Sequence, residues 1–136
     1  MPTASLRRAL RALSRADDEV LTDYGSVQGP AGLRRLIARA LGEQGLELPP
    51  DRILLTGSGS QSMDLICRLL LRPGDTVLVD DPCYFNFQAL LRAHQVRLVP
   101  VPYTPQGPDI ARFEAVLVAE KPRLYLTNSA LHNPTG

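Results

Sequence analysis

Three short runs carry the residues with chemical reach. The first, Thr56-Gly57-Ser58-Gly59-Ser60-Gln61, sets glycines, serine hydroxyls and an amide side chain at what reads as the start of a helix. The unpaired N–H groups of a first helical turn, together with the positive end of the helix dipole, make a seat for a phosphate. Glycine lets the backbone come close to such an anion, and Ser60 and Gln61 can add hydrogen bonds. The same letters also have a purely structural reading, because Ser58 and Gln61 fit the Ser-x-x-Gln capping box, which closes a helix end without any ligand. The second run is Asp80-Asp81-Pro82-Cys83-Tyr84, a turn stiffened by proline that offers one aromatic ring. Tyr84 could stack on a flat cofactor, or simply pack on the core. The third is Asn128-Ser129-Ala130-Leu131-His132-Asn133-Pro134-Thr135-Gly136, polar and turn-forming. Pro134 biases Asn133 to extended geometry and frees its amide for an oxygen across a cleft, although Asn-Pro is also an ordinary turn dipeptide.

These runs need elements to hold them. Residues 52–56, 76–80, 96–99 and 124–127 are short, apolar and rich in Val, Ile and Leu, and they predict strands buried on both faces. Helical spacing recurs between and before them. Over 60–71 it places Met63, Ile66, Cys67 and Leu70 on one face, and residues 84–93 and 108–119 follow suit. Residues 30–43 repeat Leu33, Leu36, Ile37, Ala40 and Leu41 behind a proline suited to a first turn. Residues 5–15 set Leu6, Ala9, Leu10 and Leu13 against Arg7, Arg8, Arg11 and Arg15, and 22–32 read as a loop. Strand alternating with helix predicts an α/β fold with a mainly parallel sheet and helices on both faces. In such sheets ligands bind beyond the carboxyl ends of the strands, where the three polar runs are expected to fall.

Bulk properties exclude more than they name. One domain's length, 136 residues, with 44% hydrophobic residues and a formal charge of +1, gives no sequence-wide attraction to nucleic acid or acidic membranes. The arginines near the N-terminus are offset at once by Asp17, Asp18 and Glu19, so a solvated helix face is the simpler reading there than a DNA-binding arm. Cys67 and Cys83 have no partner at metal-ligand spacing and are expected as buried or half-buried thiols, with no metal site. No apolar run of about 18 residues and no secretory segment is present, which points to the cytoplasm.

Taken in order and spacing, the runs resemble the large domain of fold-type-I pyridoxal-phosphate aminotransferases. Gly59-Ser60-Gln61 is similar to that family's phosphate-cradling turn. Asp81-Pro82-Cys83-Tyr84 matches the segment whose aromatic residue covers the pyridine ring, and Asn133-Pro134-Thr135-Gly136 the motif whose asparagine bonds the cofactor's phenolic oxygen. Arg72-Pro73-Gly74-Asp75 is typical as the turn into the next strand. Further upstream, 24–34 resembles the stretch that supplies a tyrosine to the phosphate of the neighbouring subunit, which makes Tyr24 a cofactor-binding residue across a homodimer interface. The wording of 126–136 is closest to the MocR branch of the GntR regulators, where an aminotransferase-like domain follows a DNA-binding winged helix.

The resemblance implies a cofactor, pyridoxal 5'-phosphate, held by Gly59, Ser60, Gln61, Tyr84, Asn133 and Tyr24. Residues 1–29 would form an N-terminal helix and linker, and 30–136 an incomplete large domain. Its implied activity is the movement of an amino group between an amino acid and a 2-oxo acid. The alternative is an effector-sensing domain of a MocR-type regulator, meeting DNA only through another domain. In the family, the Schiff-base lysine, the aspartate facing the pyridine nitrogen and the arginine for the substrate carboxylate all follow the matched region, so these 136 residues are expected to hold no catalytic group. The sole lysine, Lys121, precedes the strand at 124–127. At roughly 3.3 Å per residue its amine is expected on the order of 15 Å from the site, as a solvated surface group.

Overall fold

A computed structural model describes residues 2–18, 22, 24–129 and 131–136. Glu19 of the acidic run, Asp23 of the expected loop and Ala130 of the polar tail lie outside the described residues. The chain divides into two compact units, Met1–Leu55 and Thr56–Gly136.

In the first unit, α1 (Thr3–Leu13) carries the expected apolar stripe but buries no residue, and Leu6, Leu10 and Leu13 are each at least half exposed. Helix α2 (Ala31–Gly42) starts behind Pro30 and stops before the glycine turn at Gly45, whose φ of 86° a side-chain-bearing residue would resist. The expected strand at 52–56 does not form. Pro50–Arg52 is a single 3-10 turn, and 53–56 is extended chain without a sheet partner among the described residues. A strand exists only where a second strand supplies its ladder. Here the bonds go elsewhere: the Leu55 N–H donates to the Gln28 carbonyl at 3.0 Å, and the Arg34 guanidinium donates to the Pro50 carbonyl at 2.7 Å. Gly29, with φ of 88°, lies so close to Leu55 that a Cβ there would come within 2.7 Å of it.

The second unit is the α/β layer. Its order is α3 (Gly59–Leu70), β1 (Thr76–Asp81), α4 (Phe85–Ala93), β2 (Arg97–Thr104), β3 (Gly107–Pro108), α5 (Ile110–Glu120) and β4 (Leu124–Leu126). The sheet runs β3-β2-β1-β4, with β1 parallel to both β2 and β4, and β3 a short antiparallel return on β2. Alternation along β1 divides the core in two. Val77 and Val79 pack with Cys67 of α3, Leu91 of α4 and Val96, while Leu78 packs with Val101 and with Val116 of α5. Helices therefore cover both faces, as the sequence predicts.

Burial on both faces holds for β1, where Thr76 through Asp80 are all buried, but not for β2 or β4. β1 lies between two parallel neighbours, whereas β2 is paired on its outer side only at Tyr103 and Thr104, by β3, and β4 has β1 alone. On α3, Cys67 is fully buried whereas Ile66 and Leu70 stay about 40% exposed. Lys121 is exposed and caps α5 in the left-handed region just ahead of β4, at the amino end of the sheet as expected.

Candidate functional site

The course of α3 decides where its glycine turn lies. At its C-terminus the Leu70 carbonyl accepts from Arg123, immediately before β4, so this end sits at the amino edge of the sheet. Twelve helical residues rise about 18 Å, which carries Gly59 to the opposite, carboxyl rim. There Ser60 shares an open cleft with Met63, Asn86 and Phe87, at the first turn of α4.

Both readings of the turn have physical content. The cap is made: Ser58 Oγ accepts from the Gln61 N–H at 3.2 Å, and Gln61 Oε1 accepts from the Gly57 N–H at 2.6 Å. The second bond reaches one residue further back than a standard capping box would place it. The cap leaves the N–H groups of Gly59 and Ser60 with no intrahelical acceptor, since each lies within the first turn. Ser60 is exposed, and a Cβ at Gly59 would meet nothing within 4 Å. Two free amides, a hydroxyl and the helix dipole, all in open space, match the donor set a phosphate dianion requires.

Tyr84 sits at the N-terminus of α4, just past the carboxyl end of β1, and is half-buried. Its ring meets Phe85 and Phe87 edge-on, at centroid distances of 5.0 and 5.3 Å, and its hydroxyl accepts from the Asn86 amide at 2.6 Å. Cys83 beside it is half-buried. Burial first, and then the charges of Asp80 and Asp81, push its thiol pKa up, while burial followed by Asp64 does the same for Cys67. Both cysteines thus behave as the buried thiols expected, poor in nucleophilic thiolate.

The tail follows β4, the parallel neighbour of β1, and so leaves the same rim. Asn133 is exposed there. A second cleft, lined by Tyr103, Thr104, Ser129, His132 and Thr135, flanks the tail. The structure brings the glycine turn, Tyr84 and Asn133 to one rim, with Ser60 beside the start of α4 in one cleft and the tail bordering another. Tyr24 belongs to the first unit, where it is fully exposed. Among the described residues no cluster of metal-ligating side chains occurs.

What the sequence reading missed lies beneath the tail. Asp80, 3% exposed, points to the α5 side of the sheet. Its Oδ1 accepts from the Tyr125 hydroxyl at 2.5 Å and its Oδ2 from the Asn128 N–H at 3.3 Å. His132, also buried, stacks on Tyr103 with centroids 3.9 Å apart and planes within 13°. Its Nδ1 lies 2.6 Å from Thr135 Oγ1, and its Nε2 stands 3.4 Å from Asp80 Oδ2 without hydrogen-bond geometry. Burial, and then the bond to Asp80, push the Tyr125 phenol up to about 12. The available signal was an acidic residue ending an otherwise apolar strand.

The profile of the family described as aminotransferase class I and II matches residues 1–136. A 2-aminoadipate transaminase from Thermus thermophilus is 30% identical over 135 residues, covering 99% of this chain and 33% of that protein. An uncharacterised HTH-type transcriptional regulator, YdcR, from Escherichia coli is 30% identical over 138 residues, covering 99% of this chain and 29% of its own. Among solved structures, the α-aminoadipate aminotransferase LysN of Thermus thermophilus, complexed with N-(5'-phosphopyridoxyl)-L-leucine, superposes with a TM-score of 0.87 at 33% identity, over all of this chain and 34% of that one. The chain belongs to the class I and II aminotransferase family and has the fold of its solved members. It spans about a third of the length of the relatives it matches.

Proposed function

We propose that this chain forms the cofactor-binding front of a large domain, roughly residues 30–136, in a pyridoxal-phosphate aminotransferase that moves an amino group between an amino acid and a 2-oxo acid. The observation that carries this is the N-terminus of α3: two free amides and the Ser60 hydroxyl, standing open at the carboxyl rim. Gly59 and Ser60 would hold the phosphate, with the Gln61 side chain keeping the turn closed through Gly57. Tyr84 would cover one face of the ring and Asn133 would donate to its phenolic oxygen. Tyr24 would reach the phosphate of a partner subunit in a homodimer. When bound, the cofactor supplies the electron sink for the amino acid's α-carbon, and the protein supplies orientation and charge. Lys121, at the far edge of the sheet, takes no part. Among the described residues no helix is long and apolar enough to cross a membrane, which suits a cytoplasmic enzyme.

A titration of the full-length protein with pyridoxal phosphate, followed by visible absorbance and by release of a 2-oxo acid from added amino acids, tests the reading. Saturable binding with oxo-acid release supports it, and a flat titration overturns it. The 30% identity to an HTH-type regulator favours a second reading, an effector-sensing domain attached to a DNA-binding one. Cofactor binding without oxo-acid release, together with a pyridoxal-dependent shift of promoter DNA on a gel, would select that reading.

A further inference from the structure

The cluster under the tail belongs to none of the roles above, yet it is the most fully buried polar group of the second unit. Asp80 and His132 are 3% and 5% exposed. A carboxylate so placed is costly unless each oxygen is satisfied. Here the satisfaction is divided between two elements: Oδ1 takes the Tyr125 hydroxyl of β4, and Oδ2 takes the Asn128 N–H where the tail begins. His132, four residues further along, closes against the same Oδ2 at 3.4 Å. That carboxylate favours the ring tautomer with its proton on Nε2, leaving Nδ1 to accept from the Thr135 hydroxyl. Tyr103 of β2 clamps the ring's face. Asn133 and Pro134 are thus held between two residues, His132 and Thr135, that are bonded to each other. Asp80 itself is four residues ahead of Tyr84, so one buried carboxylate stands between the turn that presents the aromatic ring and the tail that presents the amide. By the alternation along β1 it shares the α5 face with Leu78, opposite α3 and α4, one residue before the strand's carboxyl end.

We infer that Asp80 is a positioning residue for the cofactor site: through Tyr125, Asn128 and His132 it fixes the height of the 128–136 tail and so the aim of the Asn133 amide. This rests on the cofactor reading given above. Substituting Asp80→Asn preserves size but turns one acceptor oxygen into a donor. Either Tyr125 or Asn128 then loses its hydrogen-bond partner, the charge beside His132 Nε2 is removed, and the tail shifts.

A hydrogen bond donated to the cofactor's phenolic oxygen draws off negative charge, so a misaimed Asn133 raises the pH at which the bound chromophore changes colour. In full-length protein loaded with pyridoxal phosphate, Asp80→Asn is expected to raise this midpoint by about half a unit or more. It should also weaken cofactor binding about tenfold. Tyr125→Phe, which keeps the ring packed on Phe113 and deletes only the hydroxyl, is expected to move both in the same direction by less. Should Asp80→Asn not fold, the Tyr125→Phe midpoint decides. Variants that melt earlier but keep the wild-type midpoint and affinity would show a purely structural cluster and overturn the inference, leaving the cofactor reading intact. Wild-type protein that binds no cofactor would overturn both.

Discussion

Replacing Gly59 by alanine separates the two roles open to the turn before α3. The residue is the first of the helix, its φ is not positive, and a Cβ there meets no atom within 4 Å, so the methyl group adds no strain. Restricting the unfolded chain should then stabilise the protein by about 0.4–1 kcal/mol. Affinity should move the other way. The Cα–Cβ bond of a helical residue tilts towards the N-terminus, so at this position the methyl leans over the end where the Gly59 and Ser60 N–H groups are free. Setting an anion back from one such donor forfeits a charge-assisted hydrogen bond of about 1.5–3 kcal/mol, or about tenfold to a hundredfold in Kd. Ser58→Ala supplies the contrast: it deletes the 3.2 Å cap bond, costing about 1 kcal/mol of stability, and leaves both amides available. Urea unfolding of the cofactor-free protein reads the first effect, and fluorescence titration with pyridoxal phosphate the second. A Gly59→Ala protein that is more stable and binds the cofactor as tightly as wild type would refute the phosphate seat and leave α3 with a cap alone.

Other expectations follow from the core and from the titrating groups. Leu91→Ala empties a fully buried position between α4 and β1 and should cost about 2–5 kcal/mol, measurable as a lowered urea midpoint. The raised Tyr125 pKa means the folded protein holds that proton more tightly than the unfolded chain, so its contribution is complete below the ordinary tyrosine value near 10 and is lost as pH rises towards about 12. Unfolding midpoints measured across that interval should fall more steeply for wild type than for Tyr125→Phe. Since burial raises both thiols, iodoacetamide at neutral pH should label the native protein slowly, half-buried Cys83 ahead of fully buried Cys67, with mass spectrometry reporting the order.

The amino-acid order by itself determined the alternation of elements in the second unit, because strand and helix periods are local properties of apolar spacing: Leu78 and Val79 alternate between faces, and Cys67 falls on the inward stripe of α3. It also marked Gly59, Ser60, Tyr84 and Asn133, since glycine turns and Asn-Pro turns are written in adjacent residues. The extended run at 53–56 was legible as apolar chain but not as lacking a ladder, for a strand is defined by a partner elsewhere in the chain. Only the tertiary structure decided that the Leu70 carbonyl meets Arg123, which sends the glycine turn to the carboxyl rim. It alone assembled Asp80, Tyr103, Tyr125 and His132, residues from three strands and the tail. A hydrogen bond or a stacked ring forms between groups brought together by packing, and no periodicity along the chain records which distant residue will arrive.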